Sequence, residues 1–292
     1  MTMRVPSLPR PGETVSGGVL SSGPGGKGSN QAIGMARLGA GVDLLTAIGP
    51  DAAGADAVAL WDAEGVGHAS VKTGTAPTMT GFILVDSAGE NSIAIAPGAL
   101  DELTLDDARA FAPVIADADL LVVSMEIPAP FATELVSLAR AKGVRTLLNP
   151  APAGSVPAAL WRGVDILTPN RGEAATLLGR DLEPAHLAEA LAAESGALVV
   201  LTLGGDGVIV HDGSTATAVT APAPPTIVDT TGAGDSFTAA LAVALCAGLD
   251  PVAAARWAAA AGSHAVAYRE VIPALPRLGD LPPLPDRNTQ DR

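Results

Sequence analysis

A glycine-rich segment near the carboxyl-terminal end of the chain places a carboxylate beside amides that could hold a phosphate. The segment is Val228–Phe237, VDTTGAGDSF, and an apolar run follows it. This pattern predicts a strand end, a turn and a helix start, where the N–H groups of Gly232, Ala233 and Gly234 converge. The positive end of the helix dipole favours negative charge, so these amides would stabilise a phosphoryl group during its transfer.

Asp235 directly follows these glycines and is the candidate base that accepts the proton of an attacking hydroxyl. A carboxylate suffices, because phosphoryl transfer has a loose transition state in which positioning contributes more than basicity. An isolated GxGD segment is also typical of an ordinary helix start, in which glycine makes the turn and aspartate complements the dipole. The segment alone therefore leaves both interpretations open.

A second glycine loop, GGKGSNQA at Gly25–Ala32, also runs into a predicted helix. It is not a Walker A loop, because Ser21 stands at the required first glycine and Gly28 replaces the Ser or Thr after lysine. Its exposed backbone could instead approach a polyhydroxylated ligand, and Asn30 offers both a donor and an acceptor. A flexible surface loop is the alternative interpretation of this segment.

The composition indicates a globular protein and disfavours two kinds of partner. Of the 292 residues, 48% are apolar, and 31 acidic against 17 basic residues give a net charge of −14. This charge would repel nucleic acids and anionic membranes but does not exclude ATP. The lone Cys246 lies in an apolar run and is expected to be a small buried thiol, and the four scattered histidines predict no zinc site. No signal peptide or membrane span is evident, so we expect a cytoplasmic protein.

The elements that must position these residues alternate between strand and helix, which predicts a doubly wound, mainly parallel sheet flanked by helices. The predicted helices are 30–38, 51–63, 106–115, 131–141, 171–178, 184–194, 233–247 and 251–267, and the predicted strands are 42–48, 119–124, 144–148, 164–167, 197–202 and 208–211. A different pattern stands at 81–86 and 91–96, two strands joined by SAGE with no helix between them. With the extended segment 15–20, this hairpin predicts a small β-layer.

Together the two glycine loops resemble the signatures of the ribokinase-like (PfkB) carbohydrate kinases, GGKGxNxA early in the chain and DTxGAGDxF late. Other matches follow in the family's order: PGETV at 11–15, ARLGA at 36–40, GENSI at 89–93, NPAPA at 149–153, TPNRGE at 168–173 and TLGGDG at 202–207. The segments GGKGSNQA, GENSI and LNPAPA are most similar to the ribokinase branch. The resemblance therefore spans nearly the whole chain.

The resemblance implies a ribokinase-like α/β core made of residues 25–76 and 98–292, with a β-sheet lid made of residues 1–24 and 77–97. Substrate would lie between the two, and closure of the lid would exclude water that competes with the sugar hydroxyl. The exposed edges and apolar face of so small a lid favour pairing with a second copy, so we expect a homodimer.

The activity implied is transfer of the γ-phosphate of ATP to a sugar hydroxyl, with D-ribose giving ribose 5-phosphate as the first expectation. Fructose, 2-keto-3-deoxygluconate and a nucleoside are alternative substrates. A non-catalytic sugar- or nucleotide-binding protein is the alternative from another functional class. Nucleic acids and membranes are not expected as partners.

Roles carry over from the family to the matching residues. Asp235 would be the base, with Gly232, Ala233 and Gly234 as the anion hole. The expected sugar ligands are Gly25, Gly26, Lys27, Asn30, Glu126 and Asp235, and the expected ATP-binding residues are Asn170, Thr202, Gly204, Gly205, Gly207, Gly232 and Gly234. Glu173 would act on Mg²⁺ directly or through water, and Asp229 and Thr231 match a monovalent-cation loop. For Glu126 and Glu173 a solvated helix-end carboxylate is the alternative, and for Asn170 an N-cap.

Two departures from the family pattern matter. The family's first core strand and its sugar-binding Asn-x-Asp pair would precede Met1, so we expect either an upstream start codon or a shortened chain, which the N-terminal mass of the native protein tests. Relatives usually carry Gly-Ala where this chain has Glu270-Val271. Because that loop supplies oxygens to the monovalent cation, we expect weaker K⁺ dependence than is usual in the family.

Overall fold

The computed structural model describes residues 1–88 and 90–284. The strands in these ranges are β1 (Thr2–Arg4), β2 (Val19–Ser21), β3 (Ala47–Ile48), β4 (Lys72–Thr73), β5 (Thr80–Val85), β6 (Asn91–Ala96), β7 (Leu120–Ser124), β8 (Arg145–Asn149), β9 (Ile166–Leu167), β10 (Leu198–Thr202), β11 (Val208–His211) and β12 (Ala216–Val219). The helices are α1 (Lys27–Arg37), α2 (Ala52–Glu64), α3 (Leu105–Ala110), α4 (Ala112–Ala116), α5 (Ala129–Lys142), α6 (Ala158–Trp161), α7 (Arg171–Leu178), α8 (Pro184–Ser195), α9 (Ala233–Cys246), α10 (Pro251–Ala265) and α11 (Val271–Ala274). Gly89 of the GENSI match and residues 285–292 of the expected core lie outside the described residues.

The main sheet has six strands in the order β12-β11-β10-β9-β8-β7. Strands β7 to β10 are parallel, and β11 and β12 continue the sheet antiparallel. Because successive side chains of a strand point to opposite faces, Val199 and Leu201 enter one hydrophobic core while Val200 enters the other. Helices α5 and α8 contribute to the first core, and α9 and α10 to the second. The predicted α/β class, with helices on both faces of a mainly parallel sheet, is confirmed.

A separate four-stranded sheet has the order β2-β1-β5-β6. The predicted hairpin is present as β5 and β6, with Val85 opposite Asn91 next to the turn. Strand β1 lies parallel to β5 and antiparallel to β2. These strands form the small β-layer that the sequence indicates, although its division from the rest of the chain as a lid stays a prediction.

A cavity of about 600 Å³ lies between β3 and β7. Its walls include residues 40–48, which lead into β3, and residues 117–124, which end with β7, and it extends to the glycine loop before α1. In the part of the chain that the structure describes, β3 pairs with β4 alone and β7 with β8 alone. The edge of β7 beside the cavity therefore has no paired strand among the described residues, and the expected strand ahead of Met1 stays a prediction.

Several predicted elements differ from the observed ones. Predicted strand 42–48 is regular only at Ala47–Ile48, because no strand among the described residues pairs with it on its cavity side. Predicted helix 106–115 is divided into α3 and α4, because Pro113 lacks the N–H that a continuous helix would need there. The short elements β4, β12, α6 and α11 were not predicted. Cys246 is exposed rather than buried, because it lies at the last position of α9 and lines the 600 Å³ cavity.

Candidate active site

Asp235 lies in the first turn of α9 and is buried, with 7% of its surface exposed. Gly232 is the N-cap of this helix and has a φ of 83°, a left-handed conformation that glycine adopts without strain. The side chain of Val271 lies so close to Gly232 that an added Cβ would be 2.8 Å from its Cγ1. Both the backbone conformation and the packing therefore require glycine at this position.

The amides at the start of α9 differ in how free they are. The N–H of Ala233 donates to the carbonyl of Thr230 at 3.3 Å, so the expectation that it is free holds only in part. For Gly232 and Gly234, the described residues offer no backbone acceptor outside the helix itself. Two or three N–H groups thus point out of the helix start, where the dipole favours an anion.

Helix α1 packs against α9 and brings the first glycine loop to Asp235. The helices approach closely at Gly34, where an added Cβ would be 2.8 Å from the Cβ of Ala239. Asn30 Nδ2 donates to Asp235 Oδ2 at 2.8 Å, and Gln31 Nε2 donates to Asp235 Oδ1 at 3.1 Å. The two sequence motifs, 205 residues apart, therefore meet at one carboxylate.

Asn30 keeps one polar atom for another partner. The side chain is 5% exposed, and its Oδ1 atom is buried without a hydrogen-bond partner among the described residues. A buried acceptor of this kind is costly unless something else donates to it. A hydroxyl group next to Asp235 would meet that requirement.

The glycine loop before α1 contacts Glu126, which lies just after β7 in the chain. Glu126 Oε2 accepts the backbone N–H of Lys27 at 2.6 Å, and an added Cβ at Gly26 would be 3.7 Å from the same oxygen. Gly25, Gly26 and Glu126 all line the 600 Å³ cavity. Burial raises the pKa of Glu126, while the backbone N–H and the charge of Lys27 act in the opposite direction. Glu126 is thus a half-buried carboxylate that faces the cavity, not a solvated one.

Asn170 and Glu173 form a reciprocal capping box at the start of α7. Asn170 Oδ1 accepts the N–H of Glu173 at 2.8 Å, and Glu173 Oε2 accepts the N–H of Asn170 at 2.8 Å. The N-cap alternative for Asn170 is therefore realised. Burial raises the pKa of Glu173, while the hydrogen bond from Asn170 lowers it.

Four charged groups form one electrostatic unit around the start of α9. The positive charge of Lys27 lowers the pKa of both Glu126 and Glu173, and the negative charge of Asp235 raises both. An ammonium group and three carboxylates from α1, α7, α9 and the end of β7 thus interact across the same space.

A second cavity, of about 270 Å³, lies at the end of β10. Asn170, Thr202 and Gly204 line it, together with Arg171, Gly172, Pro184, Leu203 and Asp206. Gly205 follows Gly204 in the same turn and is exposed. Gly207 has a φ of 98°, and a Cβ added to it would be 2.2 Å from the carbonyl oxygen of Val219. The tight turn into β11 therefore requires glycine at this position. Of the residues predicted to bind ATP, Asn170, Thr202 and Gly204 therefore line one cavity, whereas Gly205, Gly207, Gly232 and Gly234 are not among its lining residues. Gly207 has a structural reason of its own.

Asp229 is hydrogen-bonded within its own loop and also lies near a cationic side chain. Asp229 Oδ1 accepts the N–H of Thr231 at 2.9 Å and its hydroxyl at 2.7 Å. Asp229 Oδ2 lies 3.7 Å from the guanidinium of Arg4 on β1. Glu270, the first residue of the Glu270-Val271 departure from the family pattern, has a φ of 64° and a ψ of 157°. Non-glycine residues are strained in this conformation. Arg4 therefore offers the Asp229 carboxylate a positive charge that a monovalent cation would otherwise supply, and the weaker K⁺ dependence stays a prediction.

The carboxylates of this site suit Mg²⁺ that arrives bound to a nucleotide, rather than a metal site made of protein ligands alone. Within residues 1–88 and 90–284, no three His, Cys, Asp or Glu side chains cluster closely enough to hold a metal ion by themselves. One oxygen of Glu173 is engaged in the capping box, which leaves the other available. Magnesium commonly takes one or two carboxylates together with substrate phosphates and water. Glu173 next to the anion-binding amides fits that arrangement.

Sequence reasoning missed three residues around this site. Gln31 and Asn149 lie behind Asp235, where Gln31 Nε2 donates to Asn149 Oδ1 at 3.2 Å, and Arg4 reaches Asp229 from β1. Gln31 follows Asn30 directly, and Asn149 ends a parallel strand at the edge where ligands usually bind, so both carried a signal. Nothing in the sequence joins Arg4 to Asp229.

Comparisons with known proteins find one matching family and several similar sequences. The profile of the pfkB family carbohydrate kinases matches residues 2–278. The ribokinase of Bacillus subtilis is 36% identical over 259 residues, which cover 88% of this chain and 86% of that one. A bifunctional ribokinase/ribose-5-phosphate isomerase A of Fructilactobacillus sanfranciscensis is 40% identical over 238 residues, or 80% of this chain, and this match spans 44% of that longer protein.

A solved structure extends the likeness to three dimensions. The structure of Arabidopsis thaliana ribokinase complexed with ribose and ATP superposes with a TM-score of 0.82 at 29% identity, covering 96% of this chain and 93% of that one. Among the described residues, no helix is long and apolar enough to cross a membrane.

Proposed function

Because the chain belongs to the pfkB family of carbohydrate kinases, we propose that it transfers the γ-phosphate of ATP to D-ribose and forms ribose 5-phosphate. One observation carries the proposal. Asp235, at the mouth of an anion-binding helix start, is held by two side-chain amides from the glycine loop that opens α1. A base, a phosphate cradle and a polar substrate wall therefore meet at one point.

Asp235 acts as the base in this proposal. Its two amide donors hold the carboxylate in place, and a carboxylate oxygen can accept more than one hydrogen bond, so lone pairs remain for a substrate hydroxyl. The unpartnered Oδ1 of Asn30 lies next to it and would accept from a sugar hydroxyl. Because Asp235 is buried, water has little access to the reacting oxygen.

The phosphates lie on the other side of Asp235. The amides of Gly232 and Gly234, with partial help from Ala233, stabilise the negative charge that develops on the transferred group. Thr202 and Gly204 border the cavity that we assign to the nucleoside, and Gly205 adjoins it. Mg²⁺ carried by ATP neutralises phosphate charge, and Glu173 would hold it directly or through water.

Gly25, Gly26, Lys27, Asn30 and Glu126 form the sugar side of the site in this proposal. The carboxylate of Glu126 faces the cavity and holds the start of α1 through the N–H of Lys27. A polyhydroxylated ligand suits this wall, because backbone groups at the glycines can approach it closely. A reaction that consumes ATP suits the cytoplasm, which is the location we propose.

The test is an ADP-release assay over pentoses, hexoses and nucleosides with wild type, Asp235→Asn and a matched control. General-base catalysis typically contributes about 10²- to 10⁴-fold, so Asp235→Asn should lower kcat by that factor. Asp106→Asn is the control, because Asp106 also lies in the first turn of a helix but its side chain is 91% exposed. Ribose should give the highest kcat/KM. Sugar binding without turnover by the wild type would contradict the proposal.

We also propose that the protein is a homodimer that forms through the four-stranded sheet. Met3 pairs with Leu20 across β1 and β2, and Phe82 lies on the same face of β5. All three are exposed, Phe82 by 53%, and this face is opposite to the one from which Arg4 reaches Asp229. An apolar sheet face open to solvent is stabilised by a second copy.

The oligomeric state tests this. Phe82→Glu should convert the dimer to a monomer in light scattering after gel filtration. Leu105→Glu, a change of the same kind at a 40% exposed leucine on α3, should leave the dimer intact. A wild type that is monomeric at micromolar concentration would contradict the proposal.

A further inference from the structure

A chain of side-chain amides connects Asp235 to the backbone carbonyl of Thr168. Asn149 Nδ2 donates to the carbonyl of Thr168 at 2.9 Å. Gln31 Nε2 donates to Asn149 Oδ1 at 3.2 Å and to Asp235 Oδ1 at 3.1 Å. Four elements meet in this chain, because Thr168 follows β9, Asn149 ends β8, Gln31 lies on α1 and Asp235 on α9.

The direction of every hydrogen bond in the chain is determined at its Thr168 end. A backbone carbonyl can only accept, so Asn149 must direct its NH₂ group to Thr168 and its oxygen to Gln31. Gln31 must then direct its own NH₂ group to Asn149. That group has two N–H bonds, and the second one points at Asp235.

Burial keeps this direction from being reversed. Gln31 is 1% exposed, Thr168 2% and Asn149 8%. Water therefore has little access to replace any member of the chain, and an amide turned the other way would leave buried polar groups unpaired. The buried amide chain therefore holds the carboxylate of Asp235 in one orientation rather than several.

We propose that Gln31 and Asn149 are positioning residues that keep Asp235 an oriented hydrogen-bond acceptor, ready to receive the proton of the substrate hydroxyl. This inference rests on the proposed kinase function. Neither side chain needs to touch the substrate. Gln31 acts on one carboxylate oxygen of Asp235, and Asn149 acts through Gln31. Asn30 holds the other oxygen from the substrate side.

Gln31→Met is the first test, because methionine has nearly the same length and no N–H donor. A hydrogen bond to a charged group is stronger than a neutral one, so we expect kcat/KM for the sugar to fall about tenfold or more. Loss of a donor favours protonation of a carboxylate, so the acidic limb of the pH–rate profile should move up by about one pH unit. The KM for ATP should stay within about twofold of wild type, since the nucleotide cavity is not lined by Gln31.

Asn149→Leu separates positioning from direct contact. Asn149 donates to Thr168 and accepts from Gln31, and neither of these hydrogen bonds is to Asp235. We nevertheless expect Asn149→Leu to move the acidic limb in the same direction as Gln31→Met, because Asn149 acts through Gln31. The other charged groups that face Asp235 are Lys27, Glu126 and Glu173, and they are unchanged in both variants. A shift common to the two variants therefore reports on the amide chain. If Gln31→Met does not fold, Asn149→Leu carries the test.

Thr146→Val is the matched control. Thr146 is a buried polar residue on the same strand as Asn149, and its hydroxyl bonds to Asp165, away from Asp235. This variant should lose stability but keep the wild-type pH profile. If the wild type is active, and Gln31→Met has the same kcat and the same acidic limb as the wild type, the positioning inference is overturned while the proposed function stands. A wild type that phosphorylates no sugar would instead overturn the proposed function.

Discussion

Gly34→Ala tests whether the close approach of α1 to α9 controls catalysis. The new Cβ would be 2.8 Å from the Cβ of Ala239, whereas ordinary contact begins at about 3.4 Å. The two helices must therefore separate by roughly 0.6 Å, since both atoms belong to short side chains that cannot rotate away. Gly34 is one helical turn from Asn30, so the separation acts on the contacts of Asp235.

The expected effects on rate and on stability are similar in size. The 2.8 Å bond from Asn30 to Asp235 would lengthen to about 3.4 Å, outside the usual range for N–H···O bonds. Because a misplacement of about 1 Å can cost 100-fold in rate, we expect kcat to fall about tenfold. Overpacking costs about 1–3 kcal/mol of unfolding free energy, and the better helix propensity of alanine offsets about 1 kcal/mol of this.

The assay compares kcat, KM and urea unfolding of wild type, Gly34→Ala, Ala239→Gly and the double variant. Ala239→Gly makes room for the added methyl group, so the double variant should recover most of kcat although glycine in α9 lowers stability. A kcat of Gly34→Ala equal to wild type would refute the reasoning. So would a double variant as slow as Gly34→Ala, because the loss would then not come from the contact between the helices.

Three further predictions concern loops around the site and the sheet. Backbone N–H groups after Asp212 lower its pKa to about 2, and a depressed carboxyl pKa contributes stability above its unfolded value near 3.8 that is lost as pH falls towards 2. Asp212→Ala should therefore lower Tm at pH 7, and this difference should shrink below pH 3.8; a difference that does not change with pH would contradict it. Arg4→Met frees the carboxylate of Asp229, so added KCl should stimulate this variant more than wild type in the ADP-release assay, whereas equal stimulation would exclude Arg4 as the neutralising group. Glu270→Gly should unfold at a free energy about 1–2 kcal/mol higher than Glu270→Ala, because only glycine relieves the strained backbone, and equal urea midpoints would count against strain.

Motif chemistry predicted much of the site, since the residues that matter lie in short continuous segments. The proposed roles of Gly232, Asp235 and Asn30 follow from glycine geometry and donor chemistry, and these residues lie close together in the structure. The sequence could not predict that Ala233 uses its N–H within its own turn. It also could not predict the exposure of Cys246, because apolar neighbours along a helix do not say which face that helix buries.

Regular elements were predicted where a hydrophobic period continues for several turns or strand residues, as in α7 and in the hairpin of β5 and β6. The prediction was wrong where the outcome depends on a distant neighbour. The segment 42–48 has the apolar pattern of a strand, but a strand becomes regular through hydrogen bonds to a partner, and its cavity side has none in the part of the chain described here. Local pattern does not contain that information.

The sequence by itself therefore determined the fold class, the two glycine loops and the candidate base, because each depends on residue type and spacing along the chain. Only the tertiary structure decided which groups face Asp235. Gln31, Asn149 and Thr168 come from three separate segments, and Arg4 meets Asp229 across 225 positions of sequence. Hydrogen bonds and charge interactions depend on distance in space, and only the packing of α1 against α9 and the end of the sheet brings these groups within reach.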